Sequence, residues 1–524
     1  MQIFSGREGR KGWHYSEHVS FGLLKAPLIL LTRTKQSYFM KKIVFLILFS
    51  VLMSTPAFSQ TLVSATFLGQ KSKAELLAEF NNLPFIQYGA KYYQVTYTTK
   101  SVLGAVDTAS GLLAVPDNPA RIYPRLVYQH GTSGSKQEVP SINVQTGGEG
   151  IVGQLFAGLG YVAFLPDYLG LGNTSKGFHP YVHAASEAWA AMDMLRAGET
   201  FLTQNQIATN DQMFITGYSQ GGHGAMALHR AMEQDPGEEF EVTAAAPMSG
   251  PYSISGVMRE LILKDTVYYY PGYIPNTALS YQTVYGNLFT DLTEVFKPAY
   301  ASLIQPFYEG QTTLSSLNDQ LIAALIDNEG ACRPFRMLQP SIVQSILNDP
   351  NHPINVALDA NDTYDEGWLP EAPFRLFYCM GDDQVPFRNS LLARDSFLAK
   401  GVTDFLINDV MPSADHGQCY VPAMTSTLIF FLGYQQIGTV GTDTPSDTWS
   451  LVLAPNPASE VLLLNELPGE GWFEILDFSG KLLRSVQLEA GAHSLNVSDL
   501  PNGVYLARFH SQGKIWVEKL VIQR

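Results

Sequence analysis

The sequence predicts an α/β fold, with a mostly parallel β-sheet, flanking helices and an inserted cap, followed by a small all-β domain. Three observations carry this prediction. Short apolar runs alternate with helical patterns at residues 186–197 and 222–232. That alternation stops between residues 251 and 372, and beyond residue 451 only short strands and turns follow. The apolar runs are residues 126–128, 161–165, 213–216, 242–247, 374–378 and 405–410.

Composition restricts the class of protein further. The chain has 524 residues, 46% of them hydrophobic, which is enough apolar surface and length for two or more packed domains. No apolar stretch reaches the roughly 20 residues of a transmembrane helix. The net charge of −15 disfavours nucleic acid as a partner. Three cysteines without a CxxC pair fit neither a disulfide scaffold nor a zinc site, and no cofactor is predicted.

The N-terminal region contains the pattern of a secretory signal peptide at residues 40–59. Met40-Lys41-Lys42 precedes an apolar stretch, and Ala57 and Ser59 supply the small residues of a cleavage site near Gln60. We interpret residues 1–39 as an upstream extension, with Met40 as the true start. The alternative for the segment is a cytosolic apolar helix.

The mature chain divides into a main domain at residues 60–436, a linker at 437–450 and a terminal module at 451–524. Val, Thr and Tyr alternate over residues 92–115, which predicts antiparallel β-structure at the start of the main domain. The cap at about 251–372 is rich in tyrosine. The linker is rich in Gly, Thr, Ser and Asp.

The candidate nucleophile is the serine of Gly217-Tyr218-Ser219-Gln220-Gly221, a GxSxG pattern. The pattern alone is weak, but an apolar strand runs directly into it and a helix rich in Ala, Met and Leu follows. This strand–turn–helix context is that of a nucleophile elbow. The helix N-terminus then places the Gln220 N–H where an oxyanion would develop.

A nucleophilic serine needs a base and an orienting acid. We predict His416 as the base because it follows the last apolar run, in an expected post-strand loop. The acid should follow the preceding strand, where Asp382 and Asp383 are both possible. Along the chain the three candidates follow the order Ser, Asp, His, which differs from the orders of the two common classes of serine protease. His179 and His183, four residues apart, could pair on a metal, but no third ligand is evident and no metal is predicted.

These residues resemble the α/β-hydrolase superfamily over about residues 85–435, and most strongly its secretory lipase and carboxylesterase branch. The resemblance implies that the Thr132 N–H is a second oxyanion donor. It also favours Asp382, since Asp382 fits the D-x-x-V-P pattern of the family and Asp383 misses it by one residue. Asp167 is expected to tie a loop rather than to act in catalysis. The matching segments are residues 129–132, 166–172, 179–181 and 217–222.

The terminal module resembles the sorting domain read by the type IX secretion system of Gram-negative bacteria. The resemblance implies that this machinery is a partner and that the protein passes through the periplasm to be secreted or held at the cell surface. The alternative, a carbohydrate-binding β-sandwich, has only Trp472 and Trp516 as possible stacking platforms. The matching segments are residues 454–458, 475–481, 500–505 and 519–522.

The predicted function is therefore that of an exported serine ester hydrolase acting on small-molecule or lipid esters with apolar acyl or aryl groups. A serine peptidase of the prolyl-oligopeptidase type shares the triad, but the propeller repeats expected of it are missing. A catalytically dead domain used in surface adhesion is the third possibility.

The cysteines give one further expectation. Cys379 lies three residues before Asp382, and Cys419 lies three residues after His416. If acid and base meet, these cysteines come into the same neighbourhood, so we predict a disulfide between them. Cys332 would remain a free thiol. The alternative is three buried thiols.

Overall fold

The structure is a computed structural model that describes residues 61–173, 176–235, 237, 239–365, 367–402, 405–440, 451–477, 481–511 and 514–522. The predicted upstream extension and signal peptide lie outside the described residues, as do residues 441–450 of the predicted linker.

Ten strands of the described residues form the main sheet. The five strands from β5 to β9 run parallel to β4, whereas β1, β2, β3 and β10 pair antiparallel with their neighbours. The order across the sheet is β1-β2-β3-β5-β4-β6-β7-β8-β9, and β10 pairs with β4. This confirms the predicted α/β class. The strands are β1 (Leu62–Lys71), β2 (Ala90–Lys100), β3 (Val106–Pro116), β4 (Arg121–Gln129), β5 (Val162–Pro166), β6 (Ala208–Tyr218), β7 (Ala244–Met248), β8 (Phe374–Tyr378), β9 (Phe405–Asp409) and β10 (Gly438–Thr439).

Helices cover both faces of this sheet and also build the insertion between β7 and β8. They are α1 (Lys73–Glu79), α2 (Pro140–Asn143), α3 (Gly150–Gly158), α4 (Ala184–Gln204), α5 (Gln220–Glu233), α6 (Arg259–Leu263), α7 (Tyr273–Tyr285), α8 (Pro298–Tyr308), α9 (Leu314–Glu329), α10 (Pro340–Asn348), α11 (Pro353–Asp359), α12 (Arg388–Ala399) and α13 (His416–Leu432). None of the described helices is both long and apolar enough to span a membrane.

The strands are apolar on both sides because both faces of the sheet are covered. Leu126 and Phe214 belong to one buried cluster, and their chain neighbours Val127 and Ile215 belong to another on the opposite face. Successive side chains of a strand point to opposite faces, so each central strand needs a continuous apolar run. The central strands were therefore predicted from short, continuous apolar runs and not from an alternation of apolar and polar residues.

The insertion has an apolar core of its own. Leu317, Leu321 and Leu325 lie four residues apart on α9 and are fully buried, which is the spacing of one helix face. Helices α6 to α11 surround this core, with a π-helical turn at Ile254–Met258 before them.

The terminal module is all β in the described residues. Its strands form two antiparallel sheets, with the orders β11-β12-β15 and β14-β13-β16-β17. Phe473, Ile475, Phe509 and Leu520 fill the core between them. The strands are β11 (Leu453–Ala454), β12 (Val461–Leu467), β13 (Gly471–Leu476), β14 (Leu482–Leu488), β15 (Gly491–Asn496), β16 (Gly503–Ser511) and β17 (Lys514–Ile522).

Two local features differ from expectation. The edge strand β1 was not predicted, because its burial pattern is irregular rather than alternating. His416 does not lie in a loop but is the first residue of α13. Asp415 caps that helix, and its side chain accepts a hydrogen bond from the Gln418 N–H at 2.8 Å.

Candidate active site

The turn between β6 and α5 holds Ser219 in a strained conformation. Its φ of 60° and ψ of −122° are uncommon for a residue with a side chain, and such strain clusters at functional sites. The tightness of the turn also explains one glycine of the motif. A Cβ atom on Gly221 would lie 1.9 Å from the Gln129 carbonyl oxygen, so no other residue fits there. The structure thus gives the GxSxG segment the geometry of a nucleophile elbow.

Asp382 and His416 form a buried acid–base pair. The His416 Nδ1 lies 2.6 Å from the Asp382 Oδ2, and their side chains are 7% and 1% exposed. The other oxygen, Oδ1, accepts hydrogen bonds from the N–H groups of Gln384 and Val385 at 3.0 and 2.8 Å. Since an ionised carboxylate only accepts, Nδ1 carries the proton, and Nε2 is left with a lone pair that can take a proton from a hydroxyl.

The neighbouring carboxylate of Asp383 contacts the same histidine through a different atom. Its Oδ1 accepts a hydrogen bond from the backbone N–H of His416 at 3.1 Å. Its Oδ2 accepts one from the Tyr270 hydroxyl at 3.3 Å. Asp383 therefore holds the start of α13, whereas Asp382 holds the imidazole ring.

The acid turn and the base helix are packed closely together. A Cβ atom on Gly381 would lie 2.8 Å from the Ala414 carbonyl oxygen, so the two backbones touch. Cys379 and Cys419 are joined by a disulfide, with their Cα atoms 6.0 Å apart. Cys332 is a buried free thiol.

Two backbone N–H groups are available as oxyanion donors. Those of Thr132 and Gln220 have no hydrogen-bond partner among the residues that the structure describes. The residue before Thr132 is fixed, because the Gly131 N–H donates to the half-buried carboxylate of Glu149 at 2.9 Å. Burial raises the pKa of Glu149, and the Tyr128 hydroxyl donates to it at 2.5 Å.

Ser219 and His416 are connected through Tyr218. The Tyr218 hydroxyl donates to the His416 carbonyl oxygen at 2.5 Å, and the two rings lie 4.9 Å apart. Within the described residues no hydrogen bond joins the Ser219 hydroxyl to the His416 ring. Such contacts are often loose in a site without substrate.

Ser219 lies at the wall of an apolar cavity that extends into the insertion. Among the described residues that line it, only Arg259 is charged, and the others are aliphatic, aromatic or small. Those that belong to the insertion include Met258, Ile262, Tyr268, Tyr273, Ile274, Tyr281, Leu288, Val295, Phe296, Leu338, Ile346 and Leu358. An ester bound at Ser219 could extend an apolar group into this cavity.

Solved structures share this architecture. The rice cell wall degrading esterase LipA from Xanthomonas oryzae is 26% identical, with a TM-score of 0.61 over 71% of this chain and 96% of that one. A protein of Legionella pneumophila described as a hydrolase is 26% identical, with a TM-score of 0.63 over 72% and 98% of the two chains. The main domain has the α/β-hydrolase fold.

Other comparisons agree with this assignment at a coarser level. Lipase A of Candida antarctica in its closed state has a TM-score of 0.53 over 71% of this chain and 81% of its own, at 15% identity, which shows the fold alone. The model of the prolyl oligopeptidase family matches residues 151–246 of the hydrolase domain. The model of the secretion system C-terminal sorting domain matches residues 452–523, so the terminal module is such a sorting domain.

The histidines considered as a metal pair have other partners. The His179 Nδ1 lies 2.8 Å from the Leu169 carbonyl oxygen, and His183 caps α4 by accepting from the Ser186 N–H. Asp167 accepts hydrogen bonds from the hydroxyls of Ser110 and Ser141 at 2.6 and 2.5 Å, which is the tying role expected of it.

Sequence reasoning missed the buried polar groups beneath the elbow. Glu187 is 1% exposed on α4, yet it accepts hydrogen bonds from the side chain of Gln220 and contacts His223. Glu149 was missed in the same way. For Glu187 the available signal was an acidic residue inside an otherwise apolar helical pattern, which a buried carboxylate with dedicated partners can explain.

Proposed function

We propose that the protein is an exported serine ester hydrolase. The observation that carries the proposal is the buried Asp382–His416 pair, combined with a strained Ser219 that opens onto an apolar cavity. In this role Ser219 is the nucleophile, His416 the general base and Asp382 the acid that orients it.

Catalysis would proceed in two halves. The Ser219 Oγ bonds to the ester carbonyl carbon while its proton passes to the His416 Nε2. The oxyanion of the tetrahedral intermediate accepts hydrogen bonds from the Thr132 and Gln220 N–H groups. When the ester C–O bond breaks, the imidazolium returns its proton to the departing alcohol and an acyl-enzyme remains. Water then repeats the sequence and releases the carboxylic acid.

The cavity supports an apolar acyl or aryl group as the preferred part of the substrate. Its walls are almost entirely apolar, so burying an apolar group there is favourable by about 25 cal/mol per Å² of apolar surface removed from water. Burying a charged group there would be unfavourable. The similarity to LipA, which is described as an esterase, supports ester over amide chemistry. No cofactor is required by these steps.

A serine peptidase is the second candidate, because the prolyl oligopeptidase family model matches residues 151–246. That match includes the elbow but neither Asp382 nor His416. The insertion between β7 and β8 is helical in its described residues, and an apolar cavity extends into it.

Export is part of the proposal. Residues 40–59 would direct the chain to the periplasm of a Gram-negative bacterium. The sorting domain would then engage the type IX machinery, which delivers the enzyme to the cell surface or the medium.

The test is hydrolysis of a chain-length series of nitrophenyl esters, beside the matching nitroanilide amides and with Ser219→Ala as the blank. We expect Ser219-dependent ester turnover that rises with acyl length until the cavity is filled, and little amide turnover. Preferential cleavage of a peptide amide would favour the peptidase. Equal rates for the enzyme and for Ser219→Ala would indicate the dead scaffold.

A further inference from the structure

The two oxyanion donors lie on different segments of the chain, and one side chain lies between those segments. Thr132 follows β4, and Gln220 begins α5. His179 belongs to a third segment, between β5 and α4, and is only partly buried. It is not used in the steps above.

His179 holds the residue that carries one donor. The Gln220 Nε2 lies 2.9 Å from the His179 Nε2 and 2.9 Å from the Glu187 Oε1. The Leu169 carbonyl can only accept, so the His179 Nδ1 carries the proton and Nε2 accepts from the Gln220 amide. The Gln220 side chain is therefore fixed from two sides, and with it the first residue of α5.

The same ring contacts the groups that hold the other donor. His179 stacks on Tyr168, with ring centroids 5.7 Å apart and planes 17° apart. The Tyr168 hydroxyl donates to the His130 carbonyl oxygen at 2.9 Å, two residues before Thr132. His179 also contacts Tyr181, with ring centroids 6.2 Å apart and planes 61° apart, and the Tyr181 hydroxyl lies 3.0 Å from the Thr132 Oγ1.

The segment that carries His179 is itself fitted closely to its neighbours. A Cβ atom on Gly170 would lie 2.6 Å from the backbone of His179, and Gly170 has a φ of +77°. Leu169, whose carbonyl binds the ring, adjoins this glycine. The imidazole is thus held by backbone on one side, while its free nitrogen faces Gln220.

We propose that His179 is a positioning residue that holds the N–H donors of Thr132 and Gln220 in register for the oxyanion. This inference rests on the proposed ester hydrolysis. An oxyanion hole acts through donors placed within a few tenths of an ångström, and loss of a single donor costs about 10²- to 10³-fold in rate. Loosening both donors without removing either should cost about 10- to 100-fold.

The experiment compares His179→Phe with the unmodified enzyme on an ester and on its thiono analogue, in which sulfur replaces the carbonyl oxygen. Sulfur is a poor hydrogen-bond acceptor, so the thiono substrate gains little from the donors. We expect kcat/KM to fall about 10- to 100-fold for the ester and much less for the thiono ester. His179→Gln, which can still accept from the Gln220 amide, should recover most of the ester rate.

His183→Phe is the matched control, because it removes the cap of α4 four residues away but no contact with Gln220. It should lower Tm while leaving the ratio of the two rates unchanged. If His179→Phe does not fold, Tyr181→Phe tests the same idea by removing only the hydroxyl at Thr132. Equal losses on ester and thiono ester, or no loss in a folded variant, would overturn the proposal.

A second readout does not depend on ester turnover. An alkyl fluorophosphonate modifies the serine when Ser219 Oγ bonds to phosphorus and fluoride leaves, and its phosphoryl oxygen occupies the oxyanion position. Intact mass gives the rate. We expect slower labelling in His179→Phe, and restoration in His179→Gln. Unchanged labelling would refute the positioning role even if the natural substrate proves not to be an ester.

Discussion

The two adjacent carboxylates allow a sharp test of the acid. Asp382→Asn keeps the size of the side chain, and its oxygen can still accept from the Gln384 and Val385 N–H groups at the Oδ1 position. Its amide nitrogen then faces the His416 Nδ1, which also carries a proton. The ring can avoid facing one N–H with another only by moving its proton from Nδ1 to Nε2. Nε2 can then no longer accept the proton of Ser219.

The magnitude follows from that conflict. A wrong histidine tautomer in a serine triad costs about 10⁴-fold in kcat, or about 5 kcal/mol of transition-state stabilisation. Asp383→Asn should cost less than about 10-fold, because an amide oxygen can still accept from the His416 N–H and from the Tyr270 hydroxyl. The variants should therefore differ by at least about 10³-fold in kcat.

The assay is kcat on one nitrophenyl ester, with Ser219→Ala as the floor and Tm as the check on folding. Each asparagine variant is the control for the other, since both remove one negative charge at the same turn. A larger loss in Asp383→Asn, or equal losses in both, would refute the assignment of Asp382 as the acid.

The remaining predictions concern stability and export. Denatured, unreduced protein should titrate one free thiol, that of Cys332, and three thiols after reduction. Replacing both Cys379 and Cys419 by Ala should lower the free energy of unfolding by up to about 4 kcal/mol, because the bridge closes a loop of 40 residues. Three thiols before reduction would contradict the bridge. Burial lowers the pKa of His130 to about 4, below its unfolded value, so its proton binds more weakly in the folded state and stability should fall from about pH 6.5 to pH 4. Denaturant unfolding at a series of pH values should show that the unmodified protein loses about 3 kcal/mol more unfolding free energy over this range than His130→Gln does. If the two plots of unfolding free energy against pH are parallel, His130 makes no such contribution. Deletion of residues 451–524 should leave active hydrolase in the periplasm by cell fractionation, whereas normal surface delivery would contradict the sorting role.

The fold was predictable because its central strands satisfy one simple requirement. A strand covered on both faces must be apolar throughout, so the apolar runs at residues 213–216 and 374–378 were enough to predict β6 and β8. The edge strand β1 escaped prediction because its side chains face a mixture of solvent and protein. The start of α13 was not predicted, because its capping box is formed by Asp415 and Gln418 and lacks the serine or threonine of the usual pattern.

Within the site, local patterns were informative and long-range contacts were not. Ser219 sits in a motif whose glycines are demanded by the turn itself, so a few residues of sequence were enough to suggest it. The contact of Glu187 with His223 joins residues 36 positions apart on different helices, and no local pattern encodes it. The two acids illustrate the limit, since the difference between Asp382 and Asp383 lies in which atom of His416 each one reaches.

The place of the insertion in the chain has an evolutionary consequence. Ser219 comes before it and Asp382 and His416 come after it, so residues 251–372 interrupt neither the turn that carries Ser219 nor the segment that joins Asp382 to His416. The insertion must still bring the chain back to the end of the sheet at which β7 begins, because β8 is its parallel neighbour. A crossover of that kind needs about a dozen residues. Apart from contacts such as that of Tyr270 with Asp383, the insertion can diverge, so exchanging this segment as a unit would change the wall of the cavity while Ser219, Asp382 and His416 keep their places.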